Sequence, residues 1–172
     1  TLSSSSAASD VYKRQNTLTA MAAALASAVV VMGFPVLINI TARPGDDSRV
    51  VGAVILAVTL TRAPLLVPLN SFQGVLITRF VAARATLMRS LAVPLAAVVV
   101  VGAVGAIAAW AIGSWLLTHI FGADFALGGA AIALFMLGAT ALGLLTVTGA
   151  ATLSVGAHRW YAAGWWLSLI HI

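Results

Sequence analysis

The chain has 172 residues, 62% of them hydrophobic and only 8% charged. Soluble domains carry roughly one-quarter charged residues, so a soluble globular domain is excluded and an integral membrane protein is expected. Nine basic against four acidic residues give a net charge of +5, but the excess comes from a shortage of acids. Basic and aromatic residues do not interleave as on a nucleic-acid surface, and no nucleic-acid partner is expected. The absence of cysteine excludes disulfides and thiolate metal sites in this chain.

Both ends read as something other than native protein. Asp10 to Gln15, DVYKRQ, can be encoded by GAT GTG TAT AAG AGA CAG, and Leu167 to Ile172, LSLIHI, by CTG TCT CTT ATA CAC ATC. The two strings are reverse complements and resemble the transposon end used to tag DNA for sequencing; Ser5 to Ser9 can be read from the adjoining adapter. Residues 1–15 and 167–172 are therefore expected to be adapter-derived and are left out of the fold reading. The remainder, 16–166, is expected to be a transmembrane bundle fragment, an internal piece of a longer protein. It holds seven arginines, no lysine, three aspartates and no glutamate, a net charge of +4.

Residues 17–40 form a first span long enough for a bilayer, with Pro35 expected to bend it about one turn before its end. Residues 41–49, TARPGDDSR, form a loop: Pro44-Gly45 signals a turn, and Asp46 and Asp47 do not belong in hydrocarbon. The second span covers 50–78 and the third 91–118. In the third, Gly105, Ala109 and Gly113 recur every four residues, which lets a neighbouring helix come close, and Trp110 and Trp115 look like interface anchors. After the turn His119–Phe125, a fourth span covers 126–155. Its threonines at 140, 146, 148 and 152 either line a pathway or, as expected, bond back to their own helix. A fifth span begins at 162. The fold class is thus all-α: a polytopic helix bundle of four complete spans and the start of a fifth. Arg79, Arg84 and Arg89 follow the second span without an acid, and basic residues collect on the cytoplasmic side. Loops 79–90 and 156–161 are therefore expected to be cytoplasmic and loops 41–49 and 119–125 outside, in a bacterial cytoplasmic membrane.

The second span is unusual in carrying Arg62 near its middle, ahead of Pro64 and Pro68. At the α-helical rise Arg62 is roughly 18 Å from Val50 and roughly 25 Å from Arg79, too deep to reach either surface easily. Thr59, Arg62, Asn70 and Gln73 fall within an arc of about 80°, one polar stripe on an otherwise apolar helix. A charge at that depth costs from about 2.5 to more than 10 kcal/mol unless it faces protein or a wet cavity. The functional reading is an anion-contacting residue in a transport cavity; the alternative is an arginine satisfied by carbonyls freed at Pro64 and Pro68, or one seated nearer a surface. No nucleophile elbow, P-loop, dinucleotide fingerprint or HExxH pattern occurs. His119, His158, Asp46 and Asp47 are scattered over opposite sides, and His119 with Asp124 in a wet turn does not make a proton relay. No catalytic residue, metal or cofactor is expected, and the chain is not read as an enzyme.

Three stretches taken together, TLTRAPLLVPLNSFQGVLITRF (59–80), WLLTHIFGADFALGG (115–129) and TGAATLSVGAHRW (148–160), resemble the polysaccharide-biosynthesis transporters of the multidrug/oligosaccharidyl-lipid/polysaccharide flippase superfamily. The resemblance covers roughly residues 30–166 and rests on an Arg-x-Pro-Leu in one helix, a Phe-Gly-x-x-Phe turn and a Gly-x-His-Arg exit. It implies a larger transporter of two pseudo-symmetric bundles with alternating access, of which this fragment is most of one. It also implies a lipid-linked sugar or polysaccharide precursor carrying a pyrophosphate. Arg62 would then bind phosphate by charge-assisted, bidentate hydrogen bonds, and Thr59, Asn70 and Gln73 would contact sugar hydroxyls. The partners are the lipid bilayer, that lipid-linked pyrophosphoryl sugar and the remainder of the same chain. Two alternatives stand beside it: a polytopic carrier or exporter permease for a small anionic solute, and scaffold helices of a membrane-embedded glycosyltransferase or acyltransferase.

Overall fold

The computed structural model describes residues 2–43 and 47–170. The turn at Pro44 to Asp46 and the extreme terminal residues 1, 171 and 172 lie outside the described residues. The chain is all-helical, with no strand among the described residues: α1 Leu2–Met32, α2 Phe34–Thr41, α3 Ser48–Ala82, α4 Leu87–Phe121, α5 Gly129–Ser154 and α6 His158–Ile170. Short 3-10 turns, Arg84–Thr86 and Ala123–Phe125, precede α4 and α5. Among the described residues three helices, α3, α4 and α5, are long and apolar enough to cross a membrane, with a fourth span if the bent pair α1–α2 counts as one. This is a membrane protein.

The expected bend in the first span is a break. Residues 17–30 and 34–41 meet at 57°, with Gly33 between them. Pro35 lies in the first turn of α2, where its missing N–H removes no helical bond and its fixed φ suits helix initiation. The Gly33 amide donates to the Val29 carbonyl at 2.8 Å, and a β-carbon at Gly33 would collide with that same oxygen. By contrast, α3 runs unbroken through Pro64 and Pro68. Its N-terminus is capped by the Asp47 carboxylate, which accepts from the Arg49 amide at 2.9 Å, satisfying one of the donors a helix start leaves open. With 35 residues, α3 is roughly 50 Å long and its ends project beyond a hydrocarbon layer about 30 Å thick.

Helix α5 is the centre of the packing, burying twelve residues against α3, α4 and α6. Helix α4 buries only Val98, Gly102, Ala106, Gly113 and Leu117, a single seam, and exposes valines, Ile107 and Trp110 on its other side, as a lipid-facing helix should. The close approach expected along Gly105, Ala109 and Gly113 is present and longer than expected. A β-carbon at Gly102 would overlap the Thr140 side chain, and one at Gly113 would stand 3.0 Å from Ile132 Cδ1. The four threonines of α5 bond back to their own helix, as in Thr140 to the Met136 carbonyl at 2.8 Å and Thr146 to that of Leu142 at 2.9 Å.

Two tertiary contacts tie the turns together in pairs. Arg49 and Asp124 form an ion pair at 3.1 Å, joining the start of α3 to the turn before α5. Arg84 donates to the Val155 carbonyl at 2.8 Å, joining the turn before α4 to the one before α6. The start of α3 and the turn at 119–125 therefore share one end of the bundle, and the turns at 79–90 and 156–161 share the other. His119 has no link to Asp124: its ring stacks on Trp115 with centroids 4.5 Å apart, and its Nδ1 lies 3.0 Å from the Trp115 carbonyl.

Candidate functional site

Arg62 is half-buried on the face of α3 that meets the α1–α2 break. Its Nη1 donates to the Val30 carbonyl at 3.2 Å, and its guanidinium lies over the Phe34 ring, 4.7 Å from the centroid. The origin of this arrangement is local. The last carbonyls of any helix lack intrahelical donors, so ending α1 at Met32 leaves the Val30 oxygen available in the middle of the apolar layer. The carbonyl that receives Arg62 thus comes from the break at Gly33 and Pro35, not from Pro64 and Pro68 within its own helix. A hydrogen bond to a charged group contributes about 1.5–3 kcal/mol and a cation–π contact about 0.5–2 kcal/mol. Together they offset most of the about 2.5–3.5 kcal/mol that an arginine costs at a helix centre on insertion scales.

Beside Arg62 is a cleft of about 450 Å³ whose walls include Phe34, Val58, Phe135, Gly138 and Leu142. It is an apolar cleft with one cation in its wall. The acids of this chain are Asp10, Asp46, Asp47 and Asp124, none of them in a spanning segment of residues 16–166.

Packing divides the remainder of the polar stripe. Thr59 is exposed, and its hydroxyl donates to the Ile55 carbonyl at 2.8 Å. Asn70 and Gln73 lie in a second cleft, of about 260 Å³, with Ser27, Thr146, Tyr161 and Trp165. Leu142 borders both clefts and, with buried Leu66, Ala26, Val30 and Trp165, forms the apolar cluster between them. Four residues that helical periodicity placed on one face thus occupy three environments. Val30, Phe34, Tyr161 and Trp165 were not anticipated as site residues. For the first two a signal existed: a Gly-Phe-Pro sequence inside one span frees carbonyls, and a mid-span arginine in the next needs one.

Among the described residues, no group of three or more His, Cys, Asp or Glu side chains gathers to hold a metal. No protein-family model matches the chain, and no solved structure matches it. Among curated proteins it is similar to an uncharacterized protein of Mycobacterium tuberculosis, with 50% identity over 143 residues, 83% of this chain and 33% of that protein. A second uncharacterized protein of the same organism and one of Mycobacterium bovis are each 47% identical over 143 residues, with the same coverage. The chain thus spans 33% of the length of the curated relatives it matches.

Proposed function

We propose that this chain is part of a polytopic transporter, one bundle of a larger two-bundle carrier, that moves a lipid-linked oligosaccharide or polysaccharide precursor across the bacterial cytoplasmic membrane. On this reading the bent pair α1–α2 is one span, α3, α4 and α5 are three more, and α6 begins a fifth. The end bearing Arg79, Arg84, Arg89 and Arg159 is cytoplasmic, since basic loops are retained on that side.

One observation carries the reading: a guanidinium halfway along a spanning helix, in the wall of a largely apolar cleft, bonded to the Val30 carbonyl and seated over the Phe34 ring. Such a site suits an amphiphilic anion, with phosphate oxygens at the guanidinium and apolar surface elsewhere. A carbonyl is a weaker acceptor for arginine than a phosphate oxygen, so an entering pyrophosphate competes with Val30 for the guanidinium. Releasing Val30 loosens the contact between α3 and the α1–α2 break. Movement of the headgroup needs no bond made or broken.

The test uses the full-length protein in proteoliposomes with a fluorescent lipid-linked pyrophosphoryl oligosaccharide, following leaflet exchange by quenching from outside. Wild type should exchange the lipid, and Arg62→Ala should slow exchange by about tenfold or more, the scale of one charge-assisted interaction. No exchange by the wild type, or exchange unaffected by Arg62→Ala, refutes the reading. Exchange of a small anionic solute in place of the lipid would point to the permease alternative.

A further inference from the structure

The second cleft has a chemistry of its own. None of its lining residues is charged, and it is bordered by Ser27, Asn70, Gln73, Thr146, Tyr161 and Trp165 together with aliphatic side chains. The hydroxyls of Ser27 and Thr146 donate to the Ala24 and Leu142 carbonyls of their own helices, at 2.8 and 2.9 Å, so towards the cleft they can only accept. The amides of Asn70 and Gln73 are different. They stand one turn apart on α3, and no hydrogen bond among the described residues engages either. Each offers two donors and an acceptor. Across the cleft, Tyr161 and Trp165 are one turn apart on α6, their rings edge to face at 6.5 Å and 75°. Gly149 admits Tyr161 against α5, since a β-carbon there would stand 2.8 Å from the ring. Trp165 is only 4% exposed, yet its indole N–H has no acceptor, a costly state for a donor in a packed interior.

We propose that this cleft is a sugar-binding subsite, in which the Asn70 and Gln73 amides take ring hydroxyls while the half-buried Tyr161 ring, backed edge to face by buried Trp165, receives the apolar face of the sugar. A neutral polyol fits each feature. Adjacent hydroxyls both donate and accept, matching the paired donors and acceptor of a carboxamide. The C–H face suits aromatic rings that are apolar in body and polar at the tip. The absence of charge disfavours an anion here, in contrast to the cleft of Arg62. The volume of about 260 Å³ lies just under the range of pockets that enclose drug-sized ligands and suits a single ring. This assignment deepens the transport reading and rests on it for how the sugar arrives. Along α3, Arg62 and Asn70 are eight residues, roughly 12 Å, apart, so one ligand reaches both only if its anion and its sugar are neighbours.

The test uses the full-length protein in nanodiscs, with a panel of methyl hexosides and methyl N-acetylhexosaminides as probes and tryptophan fluorescence as readout. In parallel, proteoliposomes report exchange of sugar-bearing and sugar-free polyprenyl pyrophosphates. At least one glycoside should change the fluorescence of the wild type. That change should vanish in Trp165→Phe, weaken about tenfold in affinity in the double variant Asn70→Leu, Gln73→Leu, and persist in Arg62→Ala. The double variant should slow exchange of the sugar-bearing lipid and spare the sugar-free one. Asn70 is exposed and Gln73 half-exposed, so leucine there leaves the core intact, and circular dichroism checks the fold. If no glycoside changes the wild-type signal, or the change survives both variants, the subsite is refuted even where lipid exchange stands. If glycosides bind as expected and neither lipid is exchanged, the subsite stands and the transport reading fails.

Discussion

The contact between α4 and α5 makes a prediction that can be worked through at one residue. Replacing Gly102 by alanine places a β-carbon 2.8 Å from Thr140 Cβ, and nearer still to its two branches. Carbon atoms settle at about 3.5–4.0 Å, so the helices must part by about 1 Å. Turning Thr140 does not relieve this, because the clash includes its β-carbon, and its hydroxyl is already bonded to the Met136 carbonyl. Opening the seam also loosens Gly113 on Ile132, which lies on the same line. Overpacking of this kind costs about 1–3 kcal/mol, and the gain in helix propensity from glycine to alanine returns only about 0.5–1 kcal/mol. Gly74→Ala is the internal control: nothing lies within 4 Å of its β-carbon position, so only the propensity gain remains. Reversible unfolding in mixed micelles, followed by circular dichroism, should show Gly102→Ala less stable than wild type by about 1–2 kcal/mol and Gly74→Ala slightly more stable. The double variant Gly102→Ala, Thr140→Ala should recover part of the loss, a coupling that adjacent residues show and distant ones do not. If Gly102→Ala is as stable as Gly74→Ala, the packing of α4 on α5 described above is wrong.

Three further outcomes are expected. Because the chain has no cysteine, single cysteines report sidedness directly: Ser48→Cys and Ala123→Cys should react with an impermeant maleimide from one side of the membrane, and Ala85→Cys and Arg159→Cys from the other. Removing the Arg49–Asp124 pair, whose side chains are 67% and 61% exposed, should change stability by no more than about 1 kcal/mol, with a double-mutant-cycle coupling that fades as salt is raised. Gly33→Ala, which drives a β-carbon into the Val29 carbonyl, should displace the α1–α2 break, separate Arg62 from Val30 and lower lipid exchange about tenfold while helix content stays unchanged.

Helix type and position were legible because hydrophobic length in a membrane chain is set by the bilayer. The runs around 50–78, 91–118 and 126–155 have no other stable form once their backbone must bond internally. The pairing of the turns at the two ends of the bundle was legible, since the ion pair of Arg49 with Asp124 and the bond of Arg84 to Val155 gather them as the alternation of spans does. The distinction between a kink and a break at Gly33 was not: a proline inside an apolar run is compatible with either, and Pro64 and Pro68 show the unbroken outcome one helix later. The partition of the polar stripe was not legible either, for a different reason. A period of 3.6 residues fixes which side chains share a face of α3, but along roughly 20 Å of helix that face meets several neighbours. Near Arg62 it meets the broken end of α1 and the ring of Phe34; near Asn70 and Gln73 it borders a cleft whose other walls include Tyr161 and Trp165 of α6. Spacing along one helix therefore identifies candidates for a shared ligand, while the residues packed opposite them decide whether the ligand is one group or two. In this chain they place the charge and the amides in adjoining clefts with Leu142 in the wall of each, which is why separate sites are proposed for an anion and a sugar.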